Sequence, residues 1–475
     1  MSRALSPRAY LSLIPHPSKM KASTVLSAIV IAAAVAVYFT PPPAGVSVEM
    51  MHAAALVVFT VGLWAAGSLP EHIVGLLFFL LAMALAVAPA QVVFSGFASA
   101  TLWLVLGGLI MAEAVNRTGL AQRLAAALFD RYALSYPQLV VAVVVASVVL
   151  SFLIPATVGR VLLLLPIVMA LARRVGFEHD STGYNGLCLA TIVATYQCGT
   201  AVLPANAPNL VLAGSAEALY GVQITYAEYL WVQFPVLGAL KSVAIIVFTR
   251  WLFPAEARSM LGTVAAGPLT PEQRRMAGIL AIALSLWATD FLHGIQPGWI
   301  ALAAGVACLL PRVGVMPVTA FHEVRLGPYF YVGATLGLGL VIQKTGLSDG
   351  LGDVLHGVLP LEAGSDFSNF MMLSLLTTFA GLFTTNPAQP AVLAPLAETF
   401  AQATGWPLKT ALMVIGIGFT TFLLPYQVPP AMVGLQVGAL RVKTMLRLAL
   451  PLAAFSLIVV LPLQYLWWRV IGYFG

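Results

Sequence analysis

Two stretches hold the residue types that could handle a small charged solute. Leu382 to Pro395 carries three prolines, two threonines, an asparagine and a glutamine between apolar segments. An earlier run, Phe152 to Pro166, breaks in the same manner at Pro155, Ala156 and Thr157 before turning apolar again. Two further breaks stand at Leu203–Asn209 and Leu424–Pro430. A helix interrupted by proline exposes N–H groups at the start of its second half. Those groups and the helix dipole suit a carboxylate or another oxyanion. The freed carbonyls, with Thr and Asn oxygens, suit a hard cation such as sodium.

The surrounding medium decides what such breaks mean. Of 475 residues, 60% are hydrophobic and 8% charged, against about 25% charged in soluble domains. The chain is therefore expected to be an all-α polytopic membrane protein. In hydrocarbon, broken backbone survives only where it is buried in protein or lines a watery cavity, so the breaks read as a solute site. No basic run supports nucleic-acid binding. Cys188, Cys198 and Cys308 form no CxxC pair and read as buried thiols without a metal or disulfide role. An enzyme is not expected, since no HExxH, Gly-x-Ser-x-Gly or facing carboxylate pair occurs. A primary pump lacks its phosphate-binding loop.

Stepping outward, apolar runs of roughly spanning length fall at 21–40, 50–69, 72–90, 100–116, 185–203, 228–252, 276–293, 297–311, 328–345, 408–425 and 444–468. That gives about 11 transmembrane helices. The segments 137–172 and 368–402 are each interrupted in the middle and are expected to be re-entrant hairpins; two full spans apiece would leave the topology unchanged. A cytoplasmic N-terminus puts 18 of the 23 Lys and Arg residues on the cytoplasmic side, 3 outside, and Arg160 and Lys241 within hydrophobic segments, as the positive-inside rule requires. The expected location is the bacterial inner membrane, in contact with lipid.

Three signatures recur in order. Asn116 to Leu120 returns as Gln343 to Leu347, 227 residues on; Pro166 returns as Pro395, 229 on; Leu203 to Asn209 returns as Leu424 to Pro430, 221 on. The first Thr-Gly-Leu is followed by Arg123 and Arg131, the second by Asp349, Asp353, Glu362 and Asp366. The halves are thus expected to be inverted repeats with a solute site near the midplane. The layout is a tail at 1–20, a first repeat at 21–253 (hairpin 137–172, broken helix 185–215), a cytoplasmic linker at 254–275, and a second repeat at 276–475 (hairpin 368–402, broken helix 408–437).

At these residues the chain resembles the divalent anion–sodium symporter family, carriers of dicarboxylates, citrate or sulfate. The resemblance extends over nearly the whole chain. That family places Ser-Asn-Thr at each hairpin tip and a small-residue/Pro-Pro loop in each broken helix. Thr385-Asn386-Pro387 stands at the second tip, but Pro155-Ala156-Thr157 at the first keeps only Thr157 of the triplet. The resemblance implies a secondary anion transporter working by elevator-type alternating access, as a homodimer of scaffold helices around mobile transport domains. The alternative is a cation/proton antiporter or arsenite-type exporter; no carboxylate falls on either tip or loop, which disfavours proton antiport. Implied substrate-binding residues are Pro155, Ala156, Thr157, Arg160, Asn206, Pro208, Thr385, Asn386, Pro387, Val428 and Pro429. Candidate sodium ligands are Ser151, Ala205, Thr384, Asn386 and Gln427. No cofactor is expected beyond sodium as a coupling ion.

Arg160 has two readings. It either snorkels or pairs with backbone carbonyls, or its guanidinium contacts the anion or replaces the lost cation. Lys241 either snorkels or pairs across helices. Gly119 and Gly346 are expected to end helices, and Glu113 and Asp290 to be interfacial or structural.

Overall fold

The computed structural model describes residues 17–132, 135–256 and 268–475, and among them every regular element is helical. The chain runs through α1 (Pro17–Phe39), α2 (Val48–Ala66), α3 (Glu71–Ala84), α4 (Ala100–Thr118), α5 (Leu120–Tyr132), α6 (Tyr136–Leu153), α7 (Thr157–Arg174), α8 (Thr182–Gln197), α9 (Ala207–Tyr220) and α10 (Tyr226–Leu252). After the described residues resume come α11 (Pro271–Ala288), α12 (Pro297–Leu309), α13 (Gly327–Lys344), α14 (Leu347–Val358), α15 (Asp366–Ala380), α16 (389–404, in three pieces), α17 (Leu408–Gly418), α18 (Pro429–Val437) and α19 (Val442–Val470).

The order from α3 to α10 matches that from α12 to α19. In each series an apolar helix leads to a second one (α4, α13) that ends at a glycine with positive φ. These are Gly119 at 66° and Gly346 at 76°, a conformation that costs glycine nothing, so both glycines terminate helices as expected. An amphipathic helix follows (α5, α14), with α5 bent 64° from α4. Then come two arms joined at a break, a helix interrupted in its middle, and a long helix. The long helices each carry a π-helical turn, 234–240 in α10 and 456–460 in α19. Pro235 lies inside the first and Pro462 just beyond the second, and the missing proline N–H favours such a wider turn.

Four helices among the described residues are long and apolar enough to cross a membrane unaided: α2, α6, α10 and α19. Of these, α6 was expected to be one arm of a re-entrant hairpin and is long enough for the full span that was the alternative; α3, α12 and α17, expected to cross, are shorter apolar helices of 14, 13 and 11 residues. Helix α1 begins at Pro17, inside the expected tail, whose first 16 residues lie outside the described ones. The linker 254–275 is described only at its ends.

Large apolar side chains cover the outside: Ile29, Leu80, Val247, Ile282 and Ile458 are all exposed. On a water-soluble protein such a surface would aggregate; against lipid tails it is satisfied. Inside, α4 lies directly on α12. A Cβ at Gly107 would overlap the Ala301 backbone, and one at Gly298 would overlap the Ala100 carbonyl. The remaining core gathers the broken elements: α8 packs on both hairpin arms α6 and α7, and α18 packs on α7.

Candidate functional site

The first break is built where hairpin α6–α7 meets the interruption between α8 and α9. Ile154 and Ala156 are extended, because Pro155 holds its predecessor out of the helical region. Thr157 opens α7, and its hydroxyl donates to Asn206 Oδ1 at 2.9 Å and sits 3.0 Å from the Ala205 carbonyl. Asn206 is extended and buried, with Nδ2 unpartnered. Pro208 then lies in the first turn of α9, where a missing N–H costs nothing.

Arg160 fills the space behind this break. It is fully buried, and its Nη1 donates to the Ile154 carbonyl at 2.8 Å. Nη2 donates to the Thr195 carbonyl at 3.0 Å and lies 3.3 Å from Thr157 Oγ1. Ile154 ends the first hairpin arm, and Thr195 lies in the last turn of α8, the negative end of that helix dipole. The guanidinium therefore sits on backbone carbonyls, in the kind of cage a metal cation would use. Of the two candidate sodium ligands here, Ser151 donates to the Ser147 carbonyl at 2.9 Å, and the Ala205 carbonyl already faces Thr157.

The second break repeats the plan with different side chains. The Asn386 N–H donates to the Gln427 carbonyl at 2.9 Å, tying the tip of hairpin α15–α16 to the interruption between α17 and α18. Asn386 Nδ2 donates to Tyr196 Oη at 3.0 Å and to the Phe419 carbonyl at 3.1 Å, and Tyr196 Oη donates to that same carbonyl at 2.8 Å. Gln427 Oε1 accepts from the N–H groups of Leu423 and Leu424 at 2.7 and 2.8 Å, leaving Nε2 unpartnered. Thr384 Oγ1 donates to the Thr385 carbonyl at 2.7 Å, while the buried Thr385 Oγ1 has no partner. Pro387 is buried in the tip, Val428 is buried beside Gln427, and Pro429 opens α18.

Lys241 answers Arg160 in this half. It is fully buried, and Nζ donates to the Thr420 carbonyl at 2.6 Å and to Thr421 Oγ1 at 3.0 Å. Of its two readings from sequence, the pairing across helices is the one observed. A basic side chain thus rests on carbonyl or hydroxyl oxygens at the C-terminal end of the first half of each broken helix.

The structure brings Thr157, Arg160, Ala205 and Asn206 together at the first break, and Thr384, Thr385, Asn386 and Gln427 at the second. Tyr196, Thr420, Thr421, Gln197 and Gln389 were missed. Tyr196 sits in an apolar helix with nothing in its neighbourhood to mark it. Gln197 precedes the first broken loop and Gln389 lies in the second tip; both are buried with both amide atoms unpartnered, and the proline after Gln389 was the available signal for that one. Chemically, the arrangement offers unpaired amide donors and helix N-termini to an anion, while freed carbonyls at both breaks accept from basic side chains.

Known proteins agree with this architecture. The solved transporter YdaH of Alcanivorax borkumensis superposes with a TM-score of 0.58 over 90% of this chain and 99% of its own, at 15% identity. MtrF of Neisseria gonorrhoeae gives 0.53 over 96% and 95%, at 16% identity. The L-tartrate/succinate antiporter of Shigella sonnei is 24% identical over 98% of this chain and 96% of its own. An uncharacterized transporter of Haemophilus influenzae is 24% identical over 87% and 91%. The sodium:sulfate symporter transmembrane region matches residues 21–474, through both hairpins and both broken helices. The chain therefore belongs to the sodium:sulfate symporter family, and is a secondary transporter of anions rather than an enzyme.

Proposed function

We propose that this protein exchanges small dicarboxylate-like anions across the bacterial inner membrane without sodium coupling. The observation that carries the reading is the pair of buried basic side chains, Arg160 on the Ile154 and Thr195 carbonyls and Lys241 on the Thr420 carbonyl. Ionised groups this deep are costly and are retained for function. A guanidinium cannot readily lose its proton, so the first cage repels sodium while its charge favours an anion near Asn206. The unpaired Nδ2 of Asn206 and Nε2 of Gln427 supply donors for carboxylate oxygens.

The matching order of elements in the two halves supports an inverted repeat, with α6–α7 and α15–α16 as re-entrant hairpins entering from opposite sides. The broken helices, the hairpins and the long helices α10 and α19 packed on them form the unit that moves in an elevator cycle, held in a homodimer through the remaining helices, with the N-terminus cytoplasmic. The relative named for tartrate/succinate antiport supports exchange and a four-carbon dianion as cargo.

The test is uptake into proteoliposomes against a panel of labelled di- and tricarboxylates and sulfate, with and without internal anion and with and without a sodium gradient. Trans-stimulation by internal dicarboxylate, indifferent to sodium, is expected. A steep sodium dependence with no effect of internal anion would refute the proposal.

A further inference from the structure

Two carboxylates outside this site make reciprocal bonds to helix ends. Glu217, in the last turn of α9, accepts from Ser99 Oγ at 2.5 Å, from the Ala100 N–H at 3.4 Å and from Thr101 Oγ1 at 3.5 Å. It thereby covers the N-terminus of α4. Asp290, just beyond α11, accepts from the Tyr226 N–H at 2.6 Å and covers the N-terminus of α10. Helices α9 and α10 belong with the broken elements, while α4 packs on α11 and α12. Each group therefore places a negative charge on the positive end of a helix in the other.

Neither helix needs the visiting carboxylate as a cap. Ser99 Oγ accepts from the Thr101 N–H at 3.1 Å, and Thr225 Oγ1 accepts from the Glu228 N–H at 3.3 Å. Both N-termini stay capped when the carboxylates leave, so these bonds can break without unravelling either helix. Tyr226 also stacks on Trp287, with ring centroids 5.6 Å apart and planes 22° apart. A cavity of about 80 Å³ lies at this junction, lined by Glu217, Gln223, Thr225, Asp290 and Gln296 among others. Asp290 is 2% exposed, and its Oδ1 has no partner. The contact is dry on one side and hollow on the other, as a joint that opens would be.

We propose that Glu217 and Asp290 form a two-point latch. It holds the unit of broken helices against α4, α11 and α12 on this face, and the site opens here only when both bonds part. The inference rests on the moving-unit reading given above, and its test separates the two.

Cysteines are placed at Gln223 and Gln296, both on the cavity wall; the native cysteines are buried and stay. Disulfide formation between the pair should arrest exchange, with recovery on reduction. In a second set, Gln223→Cys alone is labelled by a membrane-impermeant thiol reagent. Glu217→Ala and Asp290→Ala should each raise its labelling rate about fivefold or more, since each removes a charge-assisted bond from one state only. Where an alanine variant fails to accumulate, Glu217→Gln and Asp290→Asn, which lose the charge but keep an acceptor, should raise the rate by a smaller factor, and an unchanged rate in both would count against the latch in the same way. Full exchange by the crosslinked protein would overturn the moving unit itself. Arrest on crosslinking with unchanged labelling in the Glu217 and Asp290 variants would overturn the latch alone.

Discussion

Lys241 Nζ lies 2.6 Å from the Thr420 carbonyl oxygen, so a side chain from the first half of the chain closes a backbone break in the second. Lys241→Ala leaves that carbonyl and the Thr421 hydroxyl buried without a donor, a loss of roughly 1–3 kcal/mol. The variant is expected to melt several degrees lower in detergent and to transport poorly, with Lys241→Arg recovering part of both. Melting and exchange equal to the wild type would remove Lys241 from the site.

Arg160→Ala empties a cage formed by the Ile154 and Thr195 carbonyls and Thr157 Oγ1. These oxygens suit a small hard cation. The expected outcome is impaired anion exchange in the variant together with a sodium-dependent rise in melting temperature that the wild type lacks. Arg160→Lys should restore exchange only in part, because an ammonium has no planar fork to hold both carbonyls. Full exchange by Arg160→Ala would end the case for a substitute cation.

Asn386 and Tyr196 share the Phe419 carbonyl, so their contributions should not add. A double-mutant cycle with Asn386→Ala and Tyr196→Phe is expected to give a coupling of about 0.5–3 kcal/mol in anion affinity. Each single variant should weaken affinity by about one to two decades while expressing normally. Strict additivity would mean that the tip and α8 act separately.

Opposed hairpins make a topological prediction. Cysteines at the exposed positions 174 and 176 should react only from the cytoplasm, and those at 364 and 402 only from outside. Labelling of either pair from the wrong side would undo the inverted repeat.

Packing gives the last. Gly107→Leu forces a side chain into the Ala301 backbone, and backbone cannot yield as a side-chain tip can. Overpacking of this kind costs typically 1–3 kcal/mol or more, so the variant should accumulate poorly or melt early. Gly278→Leu, on an open surface of α11, is the control that should tolerate the change.

The breaks were legible because proline, threonine and asparagine are rare in apolar runs and cannot be reconciled with continuous helix. The terminating glycines were legible for the same reason. What surrounds Arg160 and Lys241 was not, since both rest on backbone carbonyls and every residue type carries one. Asn386 was marked by its tip, but its engagement with Tyr196 depends on how α8 crosses the other half, which no local pattern encodes.

The resident cations also bear on voltage. Under the proposed cycle, with both side chains protonated, Arg160 and Lys241 travel with the moving unit, and a bound dianion offsets their two positive charges. Loaded crossings are then electrically silent. An empty crossing would carry both charges through the membrane field, at about 2.3 kcal/mol per charge for 100 mV. A carrier built this way is held to exchange by the membrane potential itself. Dicarboxylate exchange should accordingly ignore an imposed potassium diffusion potential, whereas any net efflux should respond to it steeply.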